Sequence, residues 1–230
     1  MKKVLCFLAI GFCAAGVFAQ KTKSTSKSSV KTVSAVLTPK KQLEDAVIKS
    51  KRSEKVRVIA ELSLGANEVI SIFDYVSPDK FYLLEKVSGK TVKEAIEISK
   101  QRYQKKNEQW IKTRLDYFPL RDQFGDVFRI KFVSKRDDAI KVKKVTVASL
   151  GEATLNDKKY QKYRYSILYD DSTFNESGTA WVNQSNGLLE RCEVESVGLF
   201  GQSKSVWNYI YDKEIKIESP KVFVEKDWVD

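Results

Sequence analysis

The sequence of 230 residues contains no histidine. This absence excludes the Ser-His-Asp and Cys-His nucleophile systems, in which an imidazole moves the proton, and every histidine-ligated metal site. Cysteine is scarce, with three residues, and Cys6 and Cys13 lie in a segment that we expect to be removed. The remaining Cys192 can form neither a disulfide within its domain nor a cysteine-rich zinc site. We therefore expect no metal, no cofactor and no enzymatic activity.

Long apolar runs are few, and the one that stands out covers residues 4–18, which are apolar or small and carry no charge. This run follows two lysines and precedes small residues and the polar Gln20, which is the layout of a secretory signal peptide. A membrane span needs about 20 apolar residues, so the run is short for one, and an uncleaved N-terminal anchor is the alternative. We predict a signal peptide over residues 1–19, cleavage after Ala19 and a periplasmic location.

Residues 20–38 hold four lysines, many serines and threonines, and no acidic residue. Because this segment lacks apolar periodicity, we interpret it as a basic, disordered linker. The net charge of the whole chain is +11, with 30 acidic residues distributed along it. This mixed charge, together with export, indicates no nucleic-acid partner. An apolar fraction of 42% is sufficient for a packed core, and we assign residues 39–230 to one domain.

The domain begins with a helix and continues with strands. Thr38 and Pro39 form a helix start, and apolar residues at helical spacing extend this helix to about Ser53. From residue 55 onward the apolar residues alternate with polar ones, which predicts strands separated by short turns over residues 55–64, 68–76 and 80–87.

Residues 91–105 fit two descriptions. Their apolar residues match one face of a helix, and helix propensity slightly favours that interpretation. The alternative is a strand that ends at a turn at Ser99 and Lys100, followed by a hairpin in which residues 101–105 pair with residues 109–114.

The second half of the domain starts at Pro119, which predicts a helix over residues 119–134. Strands then resume over residues 140–149, 159–169, 178–183, 188–196 and 203–211. The whole pattern predicts an α+β fold, a large curved antiparallel sheet of about ten strands with helices packed against one face.

Several phrases along the domain occur in the order found in one family. They are YVSPDKF at 75–81, QRYQK and NEQW at 101–110, SLGE and KYQKYRY at 149–165, WVNQSNGLL at 181–189, and the stretch 209–220 ending in IKIESP. Over residues 40–220 this pattern resembles the LolA-type superfamily of outer-membrane lipoprotein carriers, which also contains lipid-binding periplasmic and cell-envelope proteins. One departure is Leu189, where the family hairpin has proline.

The resemblance has consequences for both fold and function. It implies strands over residues 91–114 and a closing strand within residues 209–220. It also implies that the sheet is an unclosed half-barrel covered by helices, with an apolar cavity between sheet and helices. Members of the family bind acyl chains or lipids in that cavity and do no covalent chemistry.

The residues themselves also favour a cavity, because ten strands present more apolar area than two modest helices can cover. Large aromatic side chains supply most of the candidate lining, although each of them also suits an ordinary core. The helix predicted over residues 119–134 is the candidate lid. The predicted lining consists of Val58, Leu62, Phe73, Phe81, Tyr103, Trp110, Phe124, Phe128, Tyr163, Tyr165, Trp181 and Trp207.

We therefore predict a monomeric periplasmic carrier or chaperone that shields an acyl chain, lipid or lipoprotein from water. A membrane-bound protein would receive or release the cargo. The alternative is a sensor or adaptor of the same fold that binds a protein partner through an exposed edge strand.

A third hypothesis, hydrolysis of envelope glycans, would require two converging acids. The pairs Asp137–Asp138 and Asp170–Asp171 lie at predicted turns, where aspartate is common for backbone reasons. Glu193 and Glu195 would share the solvent-facing side of one strand. We expect structural roles for all of these acids, and Cys192 is expected to be a small packed residue.

Overall fold

The computed structural model describes residues 37–64, 67–113, 119–120, 123, 127–133, 140–171, 173–198 and 201–222. The predicted signal peptide and nearly all of the predicted linker lie outside the described residues. Within these ranges, no helix is long and apolar enough to cross a membrane.

Helix α1 spans Pro39–Lys51, in agreement with the predicted start and within two residues of the predicted end. The Thr38 hydroxyl accepts a hydrogen bond of 3.3 Å from the Lys41 backbone N–H, and proline occupies the first turn. Both features satisfy or remove donors that the first turn of a helix leaves unpaired. The apolar stripe of α1 is buried and contains Leu43, Ala46 and Val47.

Eleven strands in the described part of the chain form one antiparallel sheet that is not closed into a barrel. The order across the sheet is β6-β5-β4-β3-β2-β1-β11-β10-β9-β8-β7. The strands are β1 Lys55–Leu64, β2 Asn67–Val76, β3 Lys80–Val87, β4 Lys90–Ile98, β5 Gln101–Lys106, β6 Gln109–Thr113, β7 Val142–Leu155, β8 Lys158–Tyr169, β9 Asn175–Asn183, β10 Leu189–Gly198 and β11 Gly201–Ile210.

The sheet consists of two successive meanders, β1 to β6 and β7 to β11. They are joined where β1 pairs with β11, with Val58 opposite Tyr209. The predicted α+β class and large antiparallel sheet are therefore confirmed. The eleven strands agree with the predicted number of about ten, and residues 90–113 form three of them.

Those three strands decide the ambiguity over residues 91–105, and the helical interpretation is wrong. Ser99 and Lys100 both have positive φ, at 48° and 68°, and so do Asn107 and Glu108, at 47° and 64°. Two consecutive residues with positive φ are the backbone signature of a tight hairpin turn whose twist matches that of the flanking strands. The two turns therefore fold β4, β5 and β6 back on one another.

Side chains alternate between the two faces of the sheet, and one of these faces holds the main core. We call it the inner face; it carries Val56 and Val58 of β1, Phe73 of β2 and Phe81 of β3. Helix α1 covers part of it and contacts β7, β9 and β10.

The rest of the main core includes side chains from what we call the covering segment, the described residues 119–120, 123 and 127–133. Leu120, Phe128 and Ile130 of this segment are buried in the same core. Leu120, Gln123 and Val127 have helical backbone, and the other residues of the helix predicted over 119–134 are either non-helical or outside the described residues.

The opposite, outer face carries a second, smaller core. Ile96, Tyr103 and Ile217 are its buried members, and Trp110 packs against them. Ile217 belongs to residues 211–222, which follow β11 and form no strand. The closing strand is β11, which pairs with β1 and β10 and ends at Ile210, so the strand predicted within residues 209–220 is wrong beyond that residue. The chain beyond it lies against the outer face instead.

Candidate functional site

Eight of the twelve predicted lining residues lie on the inner side of the sheet. Seven project from the strands, and Phe128 meets them from the covering segment. Phe124 lies outside the described residues. The seven from the strands are Val58, Leu62, Phe73, Phe81, Tyr163, Tyr165 and Trp207.

The structure places the other three on the outer face. Tyr103 and Trp110 belong to the small core around Ile217. Trp181 packs edge-on against Tyr160, with ring centroids 5.9 Å apart, and the Lys162 ammonium lies 4.2 Å from its ring centroid. A residue on the outer face cannot reach the space between the sheet and the covering segment, so these three side chains do not meet the other eight.

The covering segment is fastened to the sheet at its start by Glu97 of β4. The Leu120 backbone N–H donates to Oε2 of Glu97 at 2.8 Å, and Glu97 is only 1% exposed. Glu97 stands directly opposite Arg102 of β5, which is also buried. A buried carboxylate is stable only where such donors surround it, so this polar contact fixes where the segment begins to cross the inner face.

A second attachment lies at Tyr209 of β11, in the middle of the sheet. The Tyr209 ring stacks on Phe128, with centroids 5.3 Å apart and planes 6° from parallel. Its hydroxyl donates to the Val127 carbonyl oxygen at 3.1 Å and accepts from the Arg129 backbone N–H at 3.5 Å. One tyrosine thus satisfies two backbone groups of the segment at the point where its helical part ends.

The third attachment is an ion pair. Nη2 of Arg129 lies 2.5 Å from Oε2 of Glu176 on β9, and Glu176 is 5% exposed. The Arg129 guanidinium also lies 5.3 Å from the ring centroid of Trp207. Burial raises the pKa of Glu176, and the positive charge of Arg129 offsets that increase only in part.

The pair does not use all of its polar atoms. Oε1 of Glu176 and Nε of Arg129 are buried and have no hydrogen-bond partner among the residues that the structure describes. The hydroxyl of Tyr165, on the neighbouring strand β8, is also buried and has no hydrogen-bond partner among the described residues. Buried polar atoms are nearly always paired in proteins, so these three atoms are exceptions in the interior of the protein.

A cavity of about 360 Å³ opens beside this pair. It lies between the end of the covering segment and the strands β8, β9 and β10, and Tyr169 connects its wall to the main core. Its lining is Arg129, Lys131, Ile140, Tyr169, Phe174, Asn175, Glu176, Ser196 and Val197.

The sequence analysis did not select Glu97, Arg129 or Glu176. The predicted strand 178–183 did not include Glu176. In the structure β9 begins three residues earlier than predicted, at Asn175, and Glu176 belongs to it. A charged residue at an inward position of an apolar strand is the signal that identifies Glu97 and Glu176, and it can be read only once the strand register is known.

The described acids that were considered for hydrolysis have structural partners. Asp170 accepts a hydrogen bond of 2.8 Å from the Lys141 backbone N–H, and Asp171 accepts one of 2.9 Å from the Thr173 backbone N–H. Glu193 and Glu195 lie on the outer face and are paired with Arg191 and Lys204. Asp137 and Asp138 lie outside the described residues, and no group of ligating side chains suited to a metal ion occurs within the described ranges.

Comparison with known proteins gives a match at the level of the fold. No protein-family model and no curated sequence matches the chain. The Mycobacterium tuberculosis lipoprotein LppX superposes with a TM-score of 0.53 at 9% identity, over 77% of this chain and 96% of that chain. LprF from Mycobacterium bovis gives a TM-score of 0.49 at 12% identity, over 78% of this chain and 95% of that chain. The likeness to LppX confirms the LolA-type fold that the sequence phrases predicted.

Proposed function

We propose that this protein is an exported carrier that binds the acyl chain of a lipid or lipoprotein between the inner face of its sheet and the covering segment. It acts in the periplasm, does no covalent chemistry and passes its cargo to a membrane-bound partner. The proposed contacts to the chain come from the inner-face members of the predicted lining and from Phe124.

The cavity beside Tyr169 carries this proposal. Its volume of about 360 Å³ falls in the range of ligand pockets in proteins, about 300–1,000 Å³. It joins the apolar core at Tyr169, so an acyl chain that enters there meets apolar side chains directly. Phe174, Ile140 and Val197 give the entrance an apolar wall of its own.

Binding of a long chain requires the covering segment to move. Val58, Phe81, Phe128 and Tyr165 are already buried, so the space above the inner face is filled by protein side chains. An entering chain replaces these contacts with its own, and burial of each CH₂ group contributes about 0.8 kcal/mol. The contacts at Glu97, Tyr209 and Glu176 must break for the segment to move. The free energy gained by burying the acyl chain must exceed the cost of breaking them.

The test is to measure bound lipid and lipid binding together. We expect organic extraction of the purified protein, followed by mass spectrometry, to release a lipid or fatty acid in stoichiometric amount. A fluorescent acyl probe should then bind to the extracted protein and protect tryptophan from a soluble quencher. Ser196→Phe, which fills the cavity, should abolish probe binding, whereas Ser166→Phe, on the outer face of β8, should not.

A protein without extractable lipid that also ignores the probe would overturn the proposal in favour of the adaptor function. That alternative requires an accessible edge strand. The edge strand β7 carries two register shifts, between Val142 and Lys144 and between Ser149 and Gly151, and a register shift of this kind blunts an edge against further pairing. The other edge strand, β6, has only five residues, and a short edge strand likewise limits further pairing. These features of the two edges favour the carrier over the adaptor.

A further inference from the structure

A second hollow adjoins the cavity of the proposed site. Its volume is about 380 Å³, and it shares Tyr169, Phe174 and Asn175 with the lining of the cavity. The rest of its lining is Lys143, Lys144 and Leu168, near the start of β7 and the end of β8. Leu168 lies on the outer face, because its neighbour Tyr169 belongs to the inner face. The cavity therefore adjoins a surface at the end of the sheet that includes residues of the outer face.

Exposed aliphatic side chains lie at this end of the sheet. Leu168 of β8 is 45% exposed, and Val197 of β10 is 37% exposed. Asn175 of β9 stands opposite both of them, so the three residues form one row across the sheet. Val133, two residues beyond the cavity-lining Lys131, is 77% exposed. Large apolar side chains that are grouped at the surface beside a cavity indicate contact with another apolar body.

Two lysines stand beside these aliphatic side chains. Lys144 lies directly opposite Leu168, and Lys143 is the extra residue that the register shift inserts before it. Both lysines are exposed, and neither has an ion-pair partner among the described residues. Asp170 and Asp171, also at this end, direct their carboxylates to backbone N–H groups. Lysines next to exposed aliphatic residues match the surface of a bilayer with anionic lipids, where head groups attract the lysines and the acyl boundary takes up the aliphatic groups.

We propose that Val133, Lys143, Lys144, Leu168 and Val197 form a docking rim, which rests on the surface of a lipid bilayer that contains anionic lipids. The aliphatic members enter the head-group region, and the two lysines contact the anionic head groups. An acyl chain then passes between the bilayer and the cavity beside the rim without crossing water. This inference depends on the proposed carrier function and adds to it the surface from which the cavity is loaded.

The first test is sedimentation of the purified protein with vesicles made of equal parts phosphatidylcholine and phosphatidylglycerol. Leu168→Asp should weaken binding to these vesicles by about tenfold, because it removes an apolar contact and adds a charge that the anionic head groups repel. The matched control is Leu155→Asp. Leu155 is also exposed, at 36%, but it is the last residue of β7 and lies at the other end of the sheet, so this variant should bind like the wild type. All three proteins have the same basic N-terminal segment, so a difference between them belongs to the rim.

A second pair of variants tests the charges of the rim. Lys144→Glu should weaken binding to the anionic vesicles by about tenfold and leave binding to vesicles of phosphatidylcholine alone unchanged. Lys159→Glu makes the same change at an exposed position near the start of β8, away from the rim, and should have no effect on either. Equal losses in the two variants would mean that total charge, and not the rim, attracts the protein to the membrane.

The kinetics of loading provide a readout that vesicle binding alone does not give. A pyrene-labelled fatty acid is placed in the anionic vesicles, and its uptake by the protein is followed at increasing vesicle concentration and constant probe-to-lipid ratio. Uptake through contact becomes faster with more vesicles, whereas uptake through water is limited by release of the probe and does not. We expect the first behaviour in the wild type and in Leu155→Asp, and a rate independent of vesicle concentration in Leu168→Asp.

The outcomes separate this inference from the carrier function on which it depends. Leu168 does not line the cavity, so Leu168→Asp should bind the fatty acid from solution as tightly as the wild type does. If the wild type binds the fatty acid but Leu168→Asp and the wild type behave alike toward vesicles, the docking rim is overturned and the carrier stands, loaded by a protein partner. If the wild type does not bind the fatty acid even from solution, both are overturned.

Discussion

The backbone N–H of Leu120 donates to Oε2 of Glu97 at 2.8 Å, across a sequence separation of 23 residues and inside the core. This contact connects the covering segment to β4, in the middle of the first meander. The other two attachments connect it to β11 and to β9, so the segment is bound to both meanders of the sheet. These three polar contacts must break before the covering segment can leave the inner face.

Glu97→Ala should be strongly destabilising. It leaves the Leu120 N–H without its acceptor and leaves the buried Arg102 opposite a methyl group. We expect the free energy of unfolding in urea to fall by about 1–3 kcal/mol, the cost of leaving a buried donor without its partner. Glu68→Ala, at an exposed site on β2, is the control and should change it by less than about 0.5 kcal/mol. Similar losses in both variants would contradict this role for Glu97.

Tyr209 and Tyr165 are a matched pair of buried tyrosines with different polar surroundings. Tyr209→Phe removes a hydroxyl that serves two backbone groups of the covering segment, and we expect a loss of about 1–3 kcal/mol in the free energy of unfolding. Tyr165→Phe removes a buried hydroxyl that has no hydrogen-bond partner within the described ranges, so stability should stay within about 0.5 kcal/mol or increase.

Urea titrations of the two variants provide the measurement. The order of the two effects is the essential result, since both substitutions remove the same atom from the same face of the sheet. A larger loss for Tyr165→Phe than for Tyr209→Phe would show that the covering segment is not held by the Tyr209 hydroxyl. Acyl-probe binding gives a second readout, because a loosened segment should admit the probe faster in Tyr209→Phe.

The strands that the sequence predicted best are those with clear alternation and short turns. The bounds of β1 and β3 match the prediction, and those of β2 match within one residue. In β1, Val56, Val58 and Ala60 alternate with polar residues. Residues 91–105 could not be decided locally, since Ala95 and Ile96 fit either period. Their fold depends on the backbone at Ser99 and Lys100, whose positive φ no strong turn residue announces.

The candidate site was harder to predict than the fold. Tyr103 and Trp110 were assigned to the cavity because they are aromatic, but their face depends on the register of β5 and β6, and QRYQK has no apolar alternation that would reveal it. Glu97, Arg129 and Glu176 were overlooked for the opposite reason. Hydrophobicity arguments place charged residues at the surface, and only tertiary structure shows which of them have buried partners.

Glu176 should make the stability of the protein depend on pH. Burial raises the pKa of its carboxyl above the usual value of 4.5, and Arg129 reverses this only in part. The folded state therefore binds a proton at pH values where the unfolded chain has already released it. The contribution of Glu176 to stability is complete below its unfolded pKa and is lost as the pH rises through its folded pKa.

The measurement is the free energy of unfolding of the wild type and of Glu176→Gln over a pH series that begins below 4.5 and ends at neutrality. The wild type should lose stability relative to Glu176→Gln as the pH rises, since glutamine does not titrate. A difference that is constant with pH would mean that Arg129 cancels the effect of burial, and a change in the opposite direction would mean that Arg129 outweighs burial.

A substitution at Ile217 tests whether residues 211–222 stabilise the fold. Ile217 is 5% exposed against Ile96 and Tyr103, whereas Ile210, at the end of β11, is 43% exposed. Ile217→Ala should therefore lower the free energy of unfolding by about 2–4 kcal/mol, the cost of truncating a buried aliphatic side chain, and Ile210→Ala by less than about 1 kcal/mol. Urea unfolding measures both, and Trp110, which packs in the same small core, should report the change in its fluorescence. Equally small effects at the two sites would mean that the small outer core does not depend on residues 211–222. The packing of Tyr103 and Trp110 would then not require Ile217.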